Sequence, residues 1–197
     1  MTVTTIEKFH PVTINNASLQ FKTGNTYAAG TSFGCIGTLE GETEMTQKQL
    51  KCGSVILKEI SKPNKTTLTV TLADVPVAVA RKITGLRNED LKPGVYAYGT
   101  KSKGAEFIFT GDVIDDFEEV TKLIAFPKCS SATGFKISID NGADEVANIE
   151  FELTALPDEA GEIVYEALVA ELEDQTVATQ WHTAFTRDLV KQTPDEV

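Results

Sequence analysis

The chain has 197 residues, 41% hydrophobic and 24% charged, and carries a formal charge of −11 at pH 7 from 18 Lys+Arg against 29 Asp+Glu. That size fits one well-packed domain, and the composition excludes a disordered, collagen-like or low-complexity chain. Net −11 argues against a general nucleic-acid binder, which gains most of its affinity by neutralising phosphates with Lys and Arg.

The charge is lopsided. Residues 140–197 hold fifteen acids against two bases, Arg187 and Lys191, which is −13 and leaves +2 for residues 1–139. Two readings stay open: a solvated acidic face with an acidic tail, or an acidic part that faces a defined partner or cavity. Cys35, Cys52 and Cys129 are odd in number with no C-x-x-C pair, and His10 and His182 are far apart, so neither a disulfide framework nor a structural zinc is expected. No apolar run of signal-peptide or membrane-span length is present, so assembly in a reducing cytoplasm is the expectation.

Taken in chain order, strands are predicted at 12–22 and 33–40. Residues 41–54, polar and bounded by glycine, read as a long loop, of the kind that carries function or stays disordered. A strand follows at 55–60. At 65–72 the alternation is clean: Leu68, Val70 and Leu72 point one way, and Thr67, Thr69 and Thr71 the other. One helix is predicted over about 74–84, with Asp74 as N-cap, Pro76 in the first turn, Arg81 and Lys82 near the end and Gly85 as the stop. Val75, Val79 and Ile83 form its packing stripe.

Further strands are predicted at 94–99, 106–112, 120–126 and 162–169. Alternation recurs at 134–140, where Phe135, Ile137 and Ile139 share a side. It recurs at 147–156, where Ile149, Phe151 and Leu153 oppose Glu150, Glu152 and Thr154. An Asn-Gly turn at 141–145 joins these two strands. Residues 170–179 are mildly helical, and the end reads as frayed or ordered by a partner. The pattern predicts a mainly β fold, an antiparallel β-sandwich or barrel with one flanking α-helix over residues 1–170, and a C-terminal arm over 171–197.

A search for chemistry returns little. No phosphate loop, zincin helix or nucleophile elbow is present. Asp112, Asp115, Asp116, Glu118 and Glu119 form an acidic cluster without the spacing of a calcium loop, which reads as a solvated hairpin tip. Glu150 and Glu152, two residues apart on one strand face, read as solvation rather than as a glycosidase pair. His182 beside Trp181 reads as a packing pair in the arm rather than a ligand. Neither catalysis, a cofactor nor a metal is expected. A binding or assembly role remains, because edge strands and arms pair across subunits.

Several short motifs then stand in order: LKPGVYAYGTK at 91–101, AFPKC at 125–129, DNGADEV at 140–146, EFELTALPDE at 150–159 and VYEA at 164–167. Over residues 85–170 this string resembles the major tail (tail tube) proteins of long, non-contractile-tailed bacteriophages, the siphophages. The resemblance implies a virion structural protein that is assembled in the host cytoplasm and self-assembles into hexameric rings stacked as a tail tube. It implies a lumen that holds the tape-measure protein and later passes DNA into the host without binding it specifically. Tail-terminator and baseplate or distal tail proteins would meet the tube ends, and no membrane partner is implied. The family's stacking loop would fall on 41–54, with Met45, Gln47, Lys48 and Leu50 in contact with the next ring. Thr69, Thr71, Glu150 and Glu152 would face the lumen, and Trp181, His182 and Phe185 would make arm contacts. The alternative is a β-sandwich binding or decoration module for carbohydrate or a virion surface, which needs an aromatic platform.

Overall fold

Leu68, Val70 and Leu72 are fully buried, while Thr67, Thr69 and Thr71 between them are half-buried on the opposite side, as their alternation predicts. Each such apolar side chain contributes roughly 1.5–3 kcal/mol by leaving water. The structure, a computed structural model, describes residues 5–136 and 148–192. The strands among them are β1 (Thr13–Thr23), β2 (Thr26–Tyr27), β3 (Thr31–Ser32), β4 (Ile36–Cys52), β5 (Val55–Leu72), β6 (Phe107–Asp115), β7 (Val120–Ser131), β8 (Ile149–Ala155) and β9 (Tyr165–Leu168). The helices are α1 (Val77–Thr84), α2 (Thr176–Gln180) and α3 (Arg187–Val190), with a short 3-10 turn at Val169–Glu171.

All pairings are antiparallel, in the order β2-β1-β6-β7-β8-β5-β4, with β3 added to β1 and β9 to β7. The sheet curls, so that Phe33, just before β4, donates its N–H to Ala17 of β1 at 2.9 Å. Side chains from β1, β5, β6 and β8 thereby meet in one core around Leu19, Phe33, Val70, Phe109 and Leu153. Helix α1 adds Val79 and Ile83 to that core, and Val75 packs at its rim.

The helix starts later than predicted. Pro76 occupies the N-cap, and Asp74 instead accepts the backbone N–H of Cys35 at 2.7 Å, tying the start of β4 to the end of β5. The predicted stop is in place: Gly85 has φ 73°, and a side chain there would also meet the backbone of Lys103. Gly85→Ala is expected to lower stability by about 2 kcal/mol, read as a lower urea midpoint at unchanged slope.

Residues 41–54 are not a loop. They complete β4, turn at Gly53-Ser54 and return as β5, so the two strands pair from Ile36 opposite Leu72 to Cys52 opposite Val55, with register shifts after Ile36, Glu44 and Leu50. Gly53, at φ 61°, supplies the left-handed residue that a two-residue hairpin turn requires. Pro63, which has no N–H, is accommodated by a bulge that leaves Asn64 unopposed between the pairs Glu44–Lys65 and Met45–Pro63. Beyond Thr66 the hairpin leaves the sheet as a free two-stranded ribbon.

Other boundaries moved as well. Residues 94–99 form turns with a single bridge between Arg87 and Ala97, where Gly94 at φ 85° interrupts any strand. The first predicted residues of the 33–40 strand lie outside it, and Phe33 is a buried anchor rather than a ladder residue. Of the 134–140 strand, 134–136 are not extended in a ladder, and 137–140, like the turn at 141–145, lie outside the described residues.

The C-terminal segment is part of the fold rather than an arm. Strands β1, β6 and β7 bury both faces: Phe107 and Phe109 enter the first core, whereas Ile108, Leu123 and Ala125 project to the other side. There Trp181 and Phe185 cover them in a second apolar cluster. The amino end is tied down too, through His10 N to Asp115 at 2.6 Å and Ile6 N to Glu171 at 2.9 Å.

Candidate functional site

The clearest constructed surface is the polar side of β4, β5 and β8. Because Phe151 and Leu153 enter the core, Glu150, Glu152 and Thr154 emerge on the other face. The register sets Thr71 opposite Glu150, Thr69 opposite Glu152 and Thr67 opposite Thr154. On the far side of β5 the same rows continue as Thr38, Glu40 and Glu42. Three strands thus present threonines in the middle with carboxylates on both flanks.

The face is hydrogen-bonded and anionic. Thr38 donates its N–H to Thr71 Oγ1 at 2.9 Å, and the two hydroxyls lie 2.7 Å apart. Thr133 Oγ1 accepts the N–H of Glu152 at 3.0 Å. Lys136 Nζ reaches Glu150 at 2.6 Å, while Glu40, Glu42 and Glu152 pair with no cation among the described residues. Glu150 is exposed, and Thr69, Thr71 and Glu152 are half-buried with their carboxyl and hydroxyl groups outside the core. Such a wall repels phosphate and offers no nucleophile with a base.

The second surface is the ribbon. Residues 45–63 carry Lys48, Lys51, Lys58 and Lys62 against Glu59 alone, so this protrusion is +3 in a chain of −11. Leu50, Val55, Ile56, Leu57 and Ile60 are all exposed on it, Leu50 at 58%. Alternation along β4 sends Met45 and Gln47 to one side of the ribbon and Lys48 and Leu50 to the other. The four residues expected to act together therefore form two pairs on opposite faces.

Trp181, His182 and Phe185 do come together, but inside their own chain. The Trp181 indole N–H donates to the carbonyl of Ile124 at 3.0 Å, and its ring meets that of Phe185 edge-on at 4.8 Å. His182 lies between Thr110, 3.0 Å from Nδ1, and Asp112, 2.8 Å from Nε2; Asn16 also donates to Asp112 at 2.7 Å. Hydroxyl, imidazole and carboxylate in a row have the composition of a catalytic triad. Thr110, however, is fully buried and contacts Nδ1 rather than Nε2, so no substrate reaches it and the row acts as a structural tie. Ser18 donates to the carbonyl of His182 at 2.8 Å, and a side chain at Gly30 would overlap that carbonyl, so the segment lies flush on β1.

No protein-family model matches this sequence, and no curated protein matches it. Among solved structures, one that is similar is the cryo-EM structure of the anti-feeding prophage tube-terminating cap. The likeness has 10% sequence identity and a TM-score of 0.47, and covers 85% of this chain and 97% of that chain.

The acidic cluster at 112–119 is only partly a solvated tip. It caps the β6–β7 hairpin, and Asp116, Glu118 and Glu119 are exposed, but Asp112 and Asp115 are buried. Among the described residues no group of three His, Cys, Asp or Glu is arranged to hold a metal. Burial pushes the Asp115 carboxyl up, but the N–H groups of His10, Phe117 and Glu118 all donate to it and hold it below the usual aspartate range. A depressed folded value makes this stabilisation complete above the unfolded value of about 4, and lost as pH falls through the folded value. Asp115→Asn is therefore expected to flatten the acid limb of a stability profile from pH 7 to 2, measured by urea unfolding, and an unchanged limb would refute the role of this carboxylate.

Proposed function

We propose that the chain is a structural subunit of a bacteriophage tail, a siphophage tail tube protein that self-assembles into stacked hexameric rings. The observation that carries this reading is the ribbon. An isolated two-stranded hairpin is marginal in water, and six large apolar side chains exposed on one, Met45 among them, are a liability unless another surface covers them. The edge points the same way, since β4 ends the sheet with 17 residues and has no strand beyond it among the described residues. The ribbon, with Met45, Gln47, Lys48 and Leu50, is the ring-stacking element.

In this reading Thr69, Thr71, Glu150 and Glu152 line the lumen. Hydroxyls and carboxylates there hold water and repel phosphate, so DNA slides past without sticking, after the tape-measure protein has left. Tail-terminator and distal tail proteins close the two ends. The hexameric count and these partners come from the sequence resemblance. A glycan-binding reading needs an exposed aromatic platform; the only tryptophan, Trp181, is 1% exposed, which leaves that reading to the exposed pair Tyr98 and Phe135, whose ring centroids are 6.0 Å apart.

Negative-stain electron microscopy of purified protein across a concentration series tests the reading. Six-fold rings and tubes are expected; a monodisperse monomer at every concentration would sink it. A second experiment addresses the lumen. Glu40→Lys, Glu150→Lys and Glu152→Lys together turn three negative charges per subunit positive. Tubes of this variant are expected to retain labelled DNA in a salt-dependent manner, whereas wild-type tubes do not.

A further inference from the structure

A groove runs between the free side of β9 and the C-terminal helices, with a volume of about 590 Å³. Its floor is apolar, built from Ala167, Leu172, Val177 and Leu189, which pack at the edge of the second cluster. Its rim is acidic, with Glu166, Asp174 and Asp188 against Lys191, and Glu166 is itself paired with Lys122 at 3.4 Å. Asp174 is held ionised: Thr176 donates both its hydroxyl and its N–H to the carboxylate, which lowers its pKa from the usual aspartate value. Strand β9 pairs with β7 on one side and has no strand on the other among the described residues. A site of this kind accepts an extended segment with apolar side chains on one face, cations at its margins and a free backbone edge.

The same chain carries such a segment. We infer that this groove receives the β4–β5 ribbon of a second copy, with Leu50, Val55 and Ile60 on the apolar floor and Lys48 and Lys58, which share their face, reaching the acidic rim. The inference rests on the assembly reading above and names the receiving surface. Charge complementarity selects the occupant: a +3 protrusion meets a rim on which Glu166, Asp174 and Asp188 outnumber Lys191 and the Lys122 paired with Glu166. The lopsided charge of the chain thereby becomes a polarity of assembly, basic ribbon to acidic groove. Such a head-to-tail contact repeats without closing on itself, which is what an extending stack requires.

Cys52 at the ribbon turn is exposed and serves as the probe. In a Cys35→Ser background, Asp174→Cys, Val177→Cys and Asp188→Cys are each introduced and mildly oxidised at concentrations where the wild type assembles. Reducible dimers and higher oligomers linking position 52 to at least one groove position are expected, several-fold above a Glu89→Cys control, because a disulfide needs α-carbons within about 7 Å. Yields at the control level for all three positions, or a link within one chain, would overturn the groove assignment. A charge swap supplies a second readout: Asp174→Lys with Asp188→Lys is expected to raise the concentration needed for assembly about tenfold or more, and Lys48→Glu with Lys58→Glu to restore it. Absence of rescue would also count against the groove. If the wild type forms no rings or tubes, the assembly reading itself fails; if it assembles and the groove variants behave as wild type, only the receiving surface is wrong.

Discussion

Replacing residues 45–64 by an Asn-Gly turn is expected to yield a folded subunit that no longer polymerises. The excision joins Glu44 directly to Lys65 across a two-residue hairpin, and those residues already pair, with Lys65 Nζ 3.1 Å from a Glu44 carboxylate oxygen. Nothing removed contributes to either core. Met45, Leu50, Val55, Ile56, Leu57 and Ile60 are all exposed, and Thr66, the first buried residue of β5, is retained. The loss in subunit stability is therefore expected to stay within about 1 kcal/mol, in the range of surface changes. Assembly, by contrast, should be abolished, because the excision removes the exposed apolar surface and the +3 charge together. Urea unfolding measures the first quantity, and sedimentation with electron microscopy the second. Unchanged tubes would show that the ribbon is not the stacking element; an unfolded product would show that it is needed for the fold.

The ribbon also shows where sequence reading stops. Alternation is visible when one face is wet and the other dry, as with Leu68, Val70 and Leu72 against Thr67, Thr69 and Thr71, and there the strand and its two faces were legible, whereas its pairing with β8 comes from the structure. On the ribbon both faces are wet. Thr46, Lys48 and Leu50 share a side with no apolar rule among them, so the segment resembles a polar loop although it is strand throughout. The converse failure is at β6 and β7, where both faces are dry. Ile108 and Leu123 face away from the first core, and a cover on that side is required, but nothing local says which segment supplies it. The cover comes from Trp181 and Phe185, roughly sixty residues further along the chain than Leu123, and that distance is why the segment read as an arm. Of the expected site residues, Thr69, Thr71, Glu150 and Glu152 were legible as far as the side of the strand they occupy, because alternation alone sets each of them opposite the core. His182 and Asp112 were not, since their bond joins positions 70 apart in sequence.

Trp181→Ala is the substitution with the largest expected effect on stability. The indole is 1% exposed, packs edge-on against Phe185 and donates a hydrogen bond to Ile124. Truncating a buried aromatic of this size costs about 3–5 kcal/mol, and loss of the buried hydrogen bond adds about 1 kcal/mol. Set against a typical total of about 5–15 kcal/mol, that is enough to release the C-terminal segment and uncover Ile108, Leu123 and Ala125. Trp181→Phe keeps most of the packing and loses the N–H, so it should fall between the variant and the wild type. Protease cleavage within residues 171–192 and binding of a hydrophobic dye report the release. Concentration dependence then separates the two readings of this segment. Docked on its own chain, as the Trp181, His182 and Ser18 contacts require, it unfolds at a urea midpoint that does not move with protein concentration. An arm seated on a neighbour would instead gain stability as concentration rises, and a midpoint that climbs in dilute, unassembled protein would return Trp181 and Phe185 to the interface.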